Sequence, residues 1–240
     1  MLTVIIPTKN EENHLPRLLA SLKRQTLQPQ AIIVADAGST DHTRAIAKAA
    51  GTVMVDGGLP GIGRNRGAAA ANTPFLLFLD ADVELTDPTF LAQAIRMMKE
   101  RGLGVATCEV EPMDAGTWDH VLHGAYNQYT KMLQHVFPHA PGFCIFIRRE
   151  VHEAIGGFDE FVTFCEDHDY VQRASKITSF GILPIKIPVS TRRLRRDGRL
   201  RLACKFVLAE LHLATVGPIR HHLFNYTFGH EKKRRSKVMK

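Results

Sequence analysis

The chain has 240 residues, 45% of them hydrophobic, and a net charge of +7, which allows a sizeable core and excludes wholesale disorder. Its four cysteines, Cys108, Cys144, Cys165 and Cys204, are far apart and form no CxxC pair; this excludes a zinc-ribbon pattern and a disulfide framework and fits free thiols in a reducing, cytoplasmic setting. The opening MLTVIIPTKNEE lacks the features of a signal peptide, and no uninterrupted apolar run reaches about 18 residues, so neither secretion nor a membrane-spanning helix is expected.

Leu2 to Ile6 is a β-rich run closed by Pro7, after which Leu15, Leu18, Leu19 and Leu22 recur at helical spacing. Ala31 to Ala35 reads as a second buried strand. It stops at Asp36-Ala37-Gly38-Ser39, and Thr40 or Asp41 caps a helix that Gly51 ends. Val53 to Val55 gives a third strand, Gly61 to Ala71 a Gly/Ala-rich loop and helix, and Phe75 to Leu79 a fourth strand. Asp87-Pro88 then supplies a cap and first-turn proline for a helix to about Arg101. Farther on the pattern predicts strands at Val105 to Val110, Phe143 to Arg148 and Ile182 to Val189. The helices expected there are Thr117 to Val136, Asp167 to Ile177, and Leu200 to Val216 with Leu202, Phe206 and Leu213 on its apolar face.

Such alternation implies an α/β fold: a mostly parallel sheet with helices on both faces and right-handed crossovers. The first hundred residues read as a Rossmann-like half, and the looser second half as the acceptor side. Residues 190–240 carry 14 Lys/Arg against three acids, a net of +11, which leaves −4 on residues 1–189. A basic end on a mildly acidic body suggests contact with an anionic surface.

Two acidic stations carry the chemistry. Asp80-Ala81-Asp82 ends the apolar run Phe75 to Leu79, and Glu166-Asp167 opens a later helix. Carboxylates just past a buried strand lie at the carboxyl edge of an open α/β sheet, where such sheets bind ligands. A diphosphate grip and a base there point to an enzyme acting on a nucleotide-linked substrate.

The segments VIIPTKNEE (4–12), VADAGSTDHT (34–43), GRNRGAAAA (63–71), FLDADV (78–83), GGFDE (156–160) and EDHDYVQRA (166–174) together resemble family 2 glycosyltransferases of the GT-A fold. The resemblance implies a single GT-A domain over 1–189, with a nucleotide-binding half to about 102 and an acceptor half from about 103, followed by a basic amphipathic extension over 190–240. It also implies inverting transfer of a sugar from a nucleotide-sugar and a divalent metal, Mn²⁺ or Mg²⁺.

The residues fit that chemistry. A departing diphosphate needs a cation or fixed donors. Asp82 is the better direct metal ligand, with Asp80 either a second ligand, held through water, or a ribose contact. Asp36 is expected to accept from a uracil-type imide, or else to support the Gly38 turn. Pro7, Thr8 and Ala81 would line the donor pocket, Glu11 or Glu12 would reach the ribose, and Arg64 and Asn65 would enter from the Gly-rich loop toward base or diphosphate. Asp167 matches the family's base, which takes the acceptor's proton, with Asp169 the lower-ranked alternative, and Glu166 would contact acceptor or phosphate. Arg192 or Arg193 would close over the donor phosphates.

No Gln-x-x-Arg-Trp motif is present, so a single transfer is expected rather than polymer synthesis. The favoured donor is a UDP-sugar, with GDP-sugars second. The acceptor is a hydroxyl or a lipid or polyprenyl phosphate, reached by peripheral attachment to the inner membrane face. Competing classes are a sugar-phosphate nucleotidyltransferase, which should carry a basic Gly-rich loop where PTKNEE stands, and a non-catalytic nucleotide-sugar-binding protein. Nucleic-acid binding is disfavoured, because no aromatic residues interleave the tail's charges. No HExxH or paired Cys/His spacing organises the twelve histidines; His168 and His221-His222 stay open.

Overall fold

The computed structural model describes residues 1–113, 116–191 and 198–220, without the side chains of 199–203. Arg192, Arg193, His221, His222 and the basic tail lie outside the described residues.

Seven strands form one sheet: β1 (Leu2–Thr8), β2 (Ala31–Asp36), β3 (Val53–Asp56), β4 (Phe75–Leu79), β5 (Val105–Met113), β6 (Cys144–Arg148) and β7 (Phe180–Ser190). Their order is β3-β2-β1-β4-β6-β5-β7. All neighbours pair parallel except β6, which runs against both β4 and β5. The helices are α1 (Leu15–Lys23), α2 (Thr43–Ala49), α3 (Pro60–Ala69), α4 (Phe90–Glu100), α5 (Thr117–Leu133), α6 (Arg149–Ala154), α7 (Glu166–Ser175) and α8 (Arg199–Thr215).

Alternation along the buried strands builds a core on each face. Val4, Ile6, Leu77 and Leu79 point to one side, where Leu15, Leu18 and Leu22 of α1 and Phe90 and Leu91 of α4 cover them. Ile5, Leu76 and Phe78 point to the other, against α3 and against Tyr170, Val171 and Ala174 of α7. There Phe158 stacks on Tyr170 at 3.8 Å, with Phe78 edge-on to both rings.

Most expected elements form, with instructive differences. β1 runs through Pro7 to Thr8 instead of stopping. Leu2 and Thr8 turn their carbonyls toward the β2 side, accepting from Gln30 and Ala37, so the out-of-phase Pro7 faces β4. Pairing with β4 ends at Ile5, and the missing N–H breaks no ladder there. The Gly-rich 63–71 segment is helical from Pro60 onward, so Arg64 and Asn65 stand on α3 and not on a loop. A Cβ at position 67 would run into Ile5 of β1, so the glycine there lets the helix lie close on the sheet. Phe90, not Pro88, opens α4; Asp87 instead holds a turn by accepting from the Thr89 N–H at 2.8 Å. Asp41, two residues before α2 begins, likewise accepts from the Thr43 N–H at 3.0 Å. The sequence pattern also missed α6, which has only six residues.

The carboxyl ends of β1, β2 and β4 share one edge, with Thr8 opposite Asp36 and Asp80 following Leu79. Because β6 is reversed it starts at that same edge, with Cys144 opposite Leu79. The 141–143 turn therefore stands beside Asp80. An antiparallel bridge from Val83 to Val189 ties the Asp80–Asp82 turn to the end of β7. Beyond the sheet, Ala209 and Leu213 of α8 pack with Phe164, Cys165 and Ile219.

Candidate active site

Arg64 is the hub. The helix α3 carries it under the sheet edge, where it is 2% exposed. One guanidinium nitrogen donates to Asp80 at 3.0 Å and to the Gly142 carbonyl at 3.1 Å, and another donates to Glu166 at 2.8 Å. Burial disfavours its charge, but Asp80, Glu166 and Asp167 outweigh burial and raise its pKa. Burial and the adjacent Asp167 push the Glu166 carboxyl upward, against the pull of Arg64.

Asp167 is held by backbone. Its Oδ2 accepts from the Gly142 N–H at 2.6 Å and its Oδ1 from the His168 N–H at 3.0 Å. A side chain at 142 would strike Arg64 and Asp167, so this contact requires bare backbone. Cys165, just before Glu166, takes a left-handed backbone with φ 56°, a costly conformation for a non-glycine residue. It aims the first turn of α7, whose dipole favours Glu166, Asp167 and Asp169. Asp169 turns away and pairs with Arg173 at 2.8 Å.

Three acids thus face one guanidinium, and Asp82 stands two residues from Asp80. Among the described residues no group of three His, Cys, Asp or Glu forms a ready metal cage. The donors nonetheless fit a hard cation: oxygen ligands in excess of local positive charge, with the Asp80 side chain 40% exposed. Such cations are commonly held by one or two carboxylates and completed by substrate phosphates and water.

The nucleotide-side residues are differently placed. Asp36 has a fully covered side chain. Its four acceptor positions are filled by the Thr8 hydroxyl at 3.2 Å, the Ser39 hydroxyl at 2.5 Å and N–H at 3.0 Å, and Arg44 at 2.9 Å. These donors hold its pKa down against burial, which alone would raise it. A base imide would have to displace one of them. Pro7 and Thr8 are buried beside it, and Ala81 is buried in the Asp80–Asp82 turn. The Glu11 backbone N–H donates to Thr43 at 2.7 Å, and the neighbouring Glu12 accepts from the His42 N–H. Asn65 clasps the 158–160 loop through both backbone groups of Phe158, at 2.8 and 2.9 Å. The structure therefore brings Arg64, Asp80, Glu166 and Asp167 together, while the Asn65 amide is engaged by Phe158.

Sequence reasoning missed Gly142 and a buried group behind Asp167. His168 Nδ1 lies 2.8 Å from Glu210 of α8. The His139 ring packs on His168 at 5.1 Å between centroids. Burial opposes the imidazolium of His168, but Asp167 and Glu210 overcome this and raise its pKa to about 9. Glu210 is half of that pair and belongs to the extension, so only the position of His168 beside Asp167 hinted at it.

Residues 3–156 match the family model for glycosyl transferase family 2. The chain belongs to that family. It is 32% identical over 143 residues to the 4,4'-diaponeurosporenoate glycosyltransferase of Staphylococcus haemolyticus, covering 55% of this chain and 35% of that relative. It is 35% identical over 105 residues to the validoxylamine A glucosyltransferase of Streptomyces hygroscopicus subsp. limoneus, covering 40% and 23% of the two. The alignments thus span about a third or less of these curated relatives. Among solved structures, the mannosyltransferase PcManGT of Pyrobaculum calidifontis, with GDP-Man and Mn²⁺, superposes with a TM-score of 0.68 at 19% identity, covering 90% of this chain and 70% of that one. TarS of S. aureus with UDP-GlcNAc gives 0.65 at 18% identity, covering 89% and 73%. The GT-A architecture expected of the family 2 chain is borne out.

Proposed function

We propose that this family 2 protein transfers a single sugar, with inversion, from a nucleotide-sugar to an acceptor hydroxyl or lipid-linked phosphate. The observation that carries the reading is the convergence of Asp80, Glu166 and Asp167 around Arg64 and Gly142 at the sheet's carboxyl edge. The donor would lie over the ends of β1, β2 and β4, its base near Asp36 and Thr8. A UDP-sugar is favoured, with GDP-sugars second; the neighbours solved with UDP-GlcNAc and GDP-Man support the donor class.

Asp82 and Asp80 would hold Mn²⁺ or Mg²⁺. When bound, the ion supplies positive charge to the departing diphosphate. Asp167, oriented by two backbone N–H groups, takes the proton from an acceptor hydroxyl as that oxygen bonds to the anomeric carbon. The bond from that carbon to the phosphate oxygen breaks, and the nucleoside diphosphate leaves with the electron pair. Glu166 steadies Arg64, which keeps Asp80 aimed at the donor. The basic extension supports an acceptor met at a membrane face, although no described helix is long and apolar enough to cross one.

The test is Asp167→Asn. Turnover falls about 10²–10⁴-fold while UDP binding, read by calorimetry, holds. Unchanged turnover would remove Asp167 from the reaction, and equal loss of binding would make it a donor contact.

A further inference from the structure

The helix α5 is inside out. On the sheet side Asn127 grips β5, accepting from the Val110 N–H and donating to its carbonyl, both at 2.9 Å, and Asp119 and Thr130 are buried. Facing outward, Trp118, Val121, Leu122, Tyr129 and Met132 fall within an arc of about 100° at helical rotation, and Val136 continues the line just past the last turn. Trp118 is 74%, Met132 80% and Val136 84% exposed. A surface helix of a soluble domain turns its apolar arc to the core and its polar side to water; α5 does the reverse.

A second outward apolar arc adjoins it. Val207, Leu208 and Leu211 of α8 are each exposed by more than half. The two helices are linked through histidines: Tyr129 of α5 packs on His139, His139 on His168, and His168 pairs with Glu210 of α8. Both helices border the site: Tyr126 of α5 lies against His139, and Glu210 of α8 against His168 beside Asp167.

We propose that the outward faces of α5 and α8 form a platform that lies in the interfacial layer of an anionic membrane. The charge of the sequence selects this occupant. The stretch that contains α8 and follows it, residues 190–240, carries the net +11 while the rest of the chain is −4. An apolar face with Trp and Tyr, in a chain whose end is densely basic, is what the boundary of an anionic bilayer takes up. A second copy of this chain would bring two such basic segments together. The platform itself is independent of the proposed reaction. Its consequence, that the acceptor arrives from the lipid plane, rests on the transferase reading.

Trp118 is the chain's only tryptophan and so reports directly on the platform. The full chain is mixed with vesicles of phosphatidylglycerol and phosphatidylcholine, with ordinary or brominated acyl chains. The platform predicts a blue shift of Trp118 emission, quenching by the brominated lipid, and a co-sedimented fraction about five-fold higher than with phosphatidylcholine alone. Val121→Glu with Met132→Glu, both at exposed positions, abolishes quenching and leaves the melting temperature and the UDP-induced thermal shift unchanged. Co-sedimentation with Trp118 unshifted and unquenched would assign attachment to the basic tail alone and overturn the proposal. A blue shift that grows with protein concentration without lipid would overturn it in favour of self-association. The UDP shift is read separately, so a failed platform and a failed donor site are told apart.

Discussion

Asp36 and Asp80 each stand at the carboxyl edge of the same sheet, at or just past the end of a parallel strand, yet their surroundings are opposite. The Asp36 carboxylate is covered and receives four donors from Thr8, Ser39 and Arg44. Asp80 is 40% exposed and shares the single guanidinium of Arg64 with Glu166, while Asp167 adds charge nearby. A carboxylate with every lone pair matched fixes the backbone around it. A group of acids with too few cations remains ready for an added ion, a phosphate contact or a proton.

The largest effect should come from removing the guanidinium that Asp80 and Glu166 share. Arg64→Met takes the ion-pair partner from buried Glu166 and from Asp80, and is expected to lower stability by about 3–5 kcal/mol, read from the urea midpoint. A neutral outcome would mean that the acids are already relieved by water, and the contrast with Asp36 would fail. Next is Asp36→Ala, which strands Arg44, Ser39 and Thr8 and should cost about 2–3 kcal/mol, whereas Asp80→Asn should stay within about 1 kcal/mol. Equal costs at the two positions would erase the distinction.

The smallest effect concerns pH. The folded pKa of His168 is raised to about 9 by Asp167 and Glu210 against burial, from an unfolded value near 6.5. Its stabilising contribution is therefore complete below about 6.5 and is lost as pH rises through about 9. The melting temperature should fall over that window, and Glu210→Gln should flatten the fall. A parallel slope in the variant would assign the effect to other groups.

Much of this was legible in the sequence because buried parallel strands advertise themselves. Runs such as Phe75 to Leu79 are apolar throughout, and the acid that follows marks the sheet edge. What stayed hidden depends on contacts between distant segments. The reversed direction of β6 leaves no mark in its own residues, yet it brings Gly142 to Asp167. The glycine at 67 signalled a loop by conformational freedom, whereas its task is close approach to Ile5 of β1 within a helix. Asn65 also ties down Phe158, a contact that its place in the sequence does not reveal. The inverted face of α5 was present as spacing, but periodicity alone does not say which side meets the core.

The central claim is that the acids around Asp80 and Asp82 grip a nucleoside diphosphate through a divalent ion. It is tested most directly by calorimetric titration of UDP into the wild type and Asp82→Asn, each with and without Mn²⁺. The account predicts at least about ten-fold tighter binding with the ion in the wild type, and loss of that gain in the variant. Equal affinities in all four titrations would contradict it.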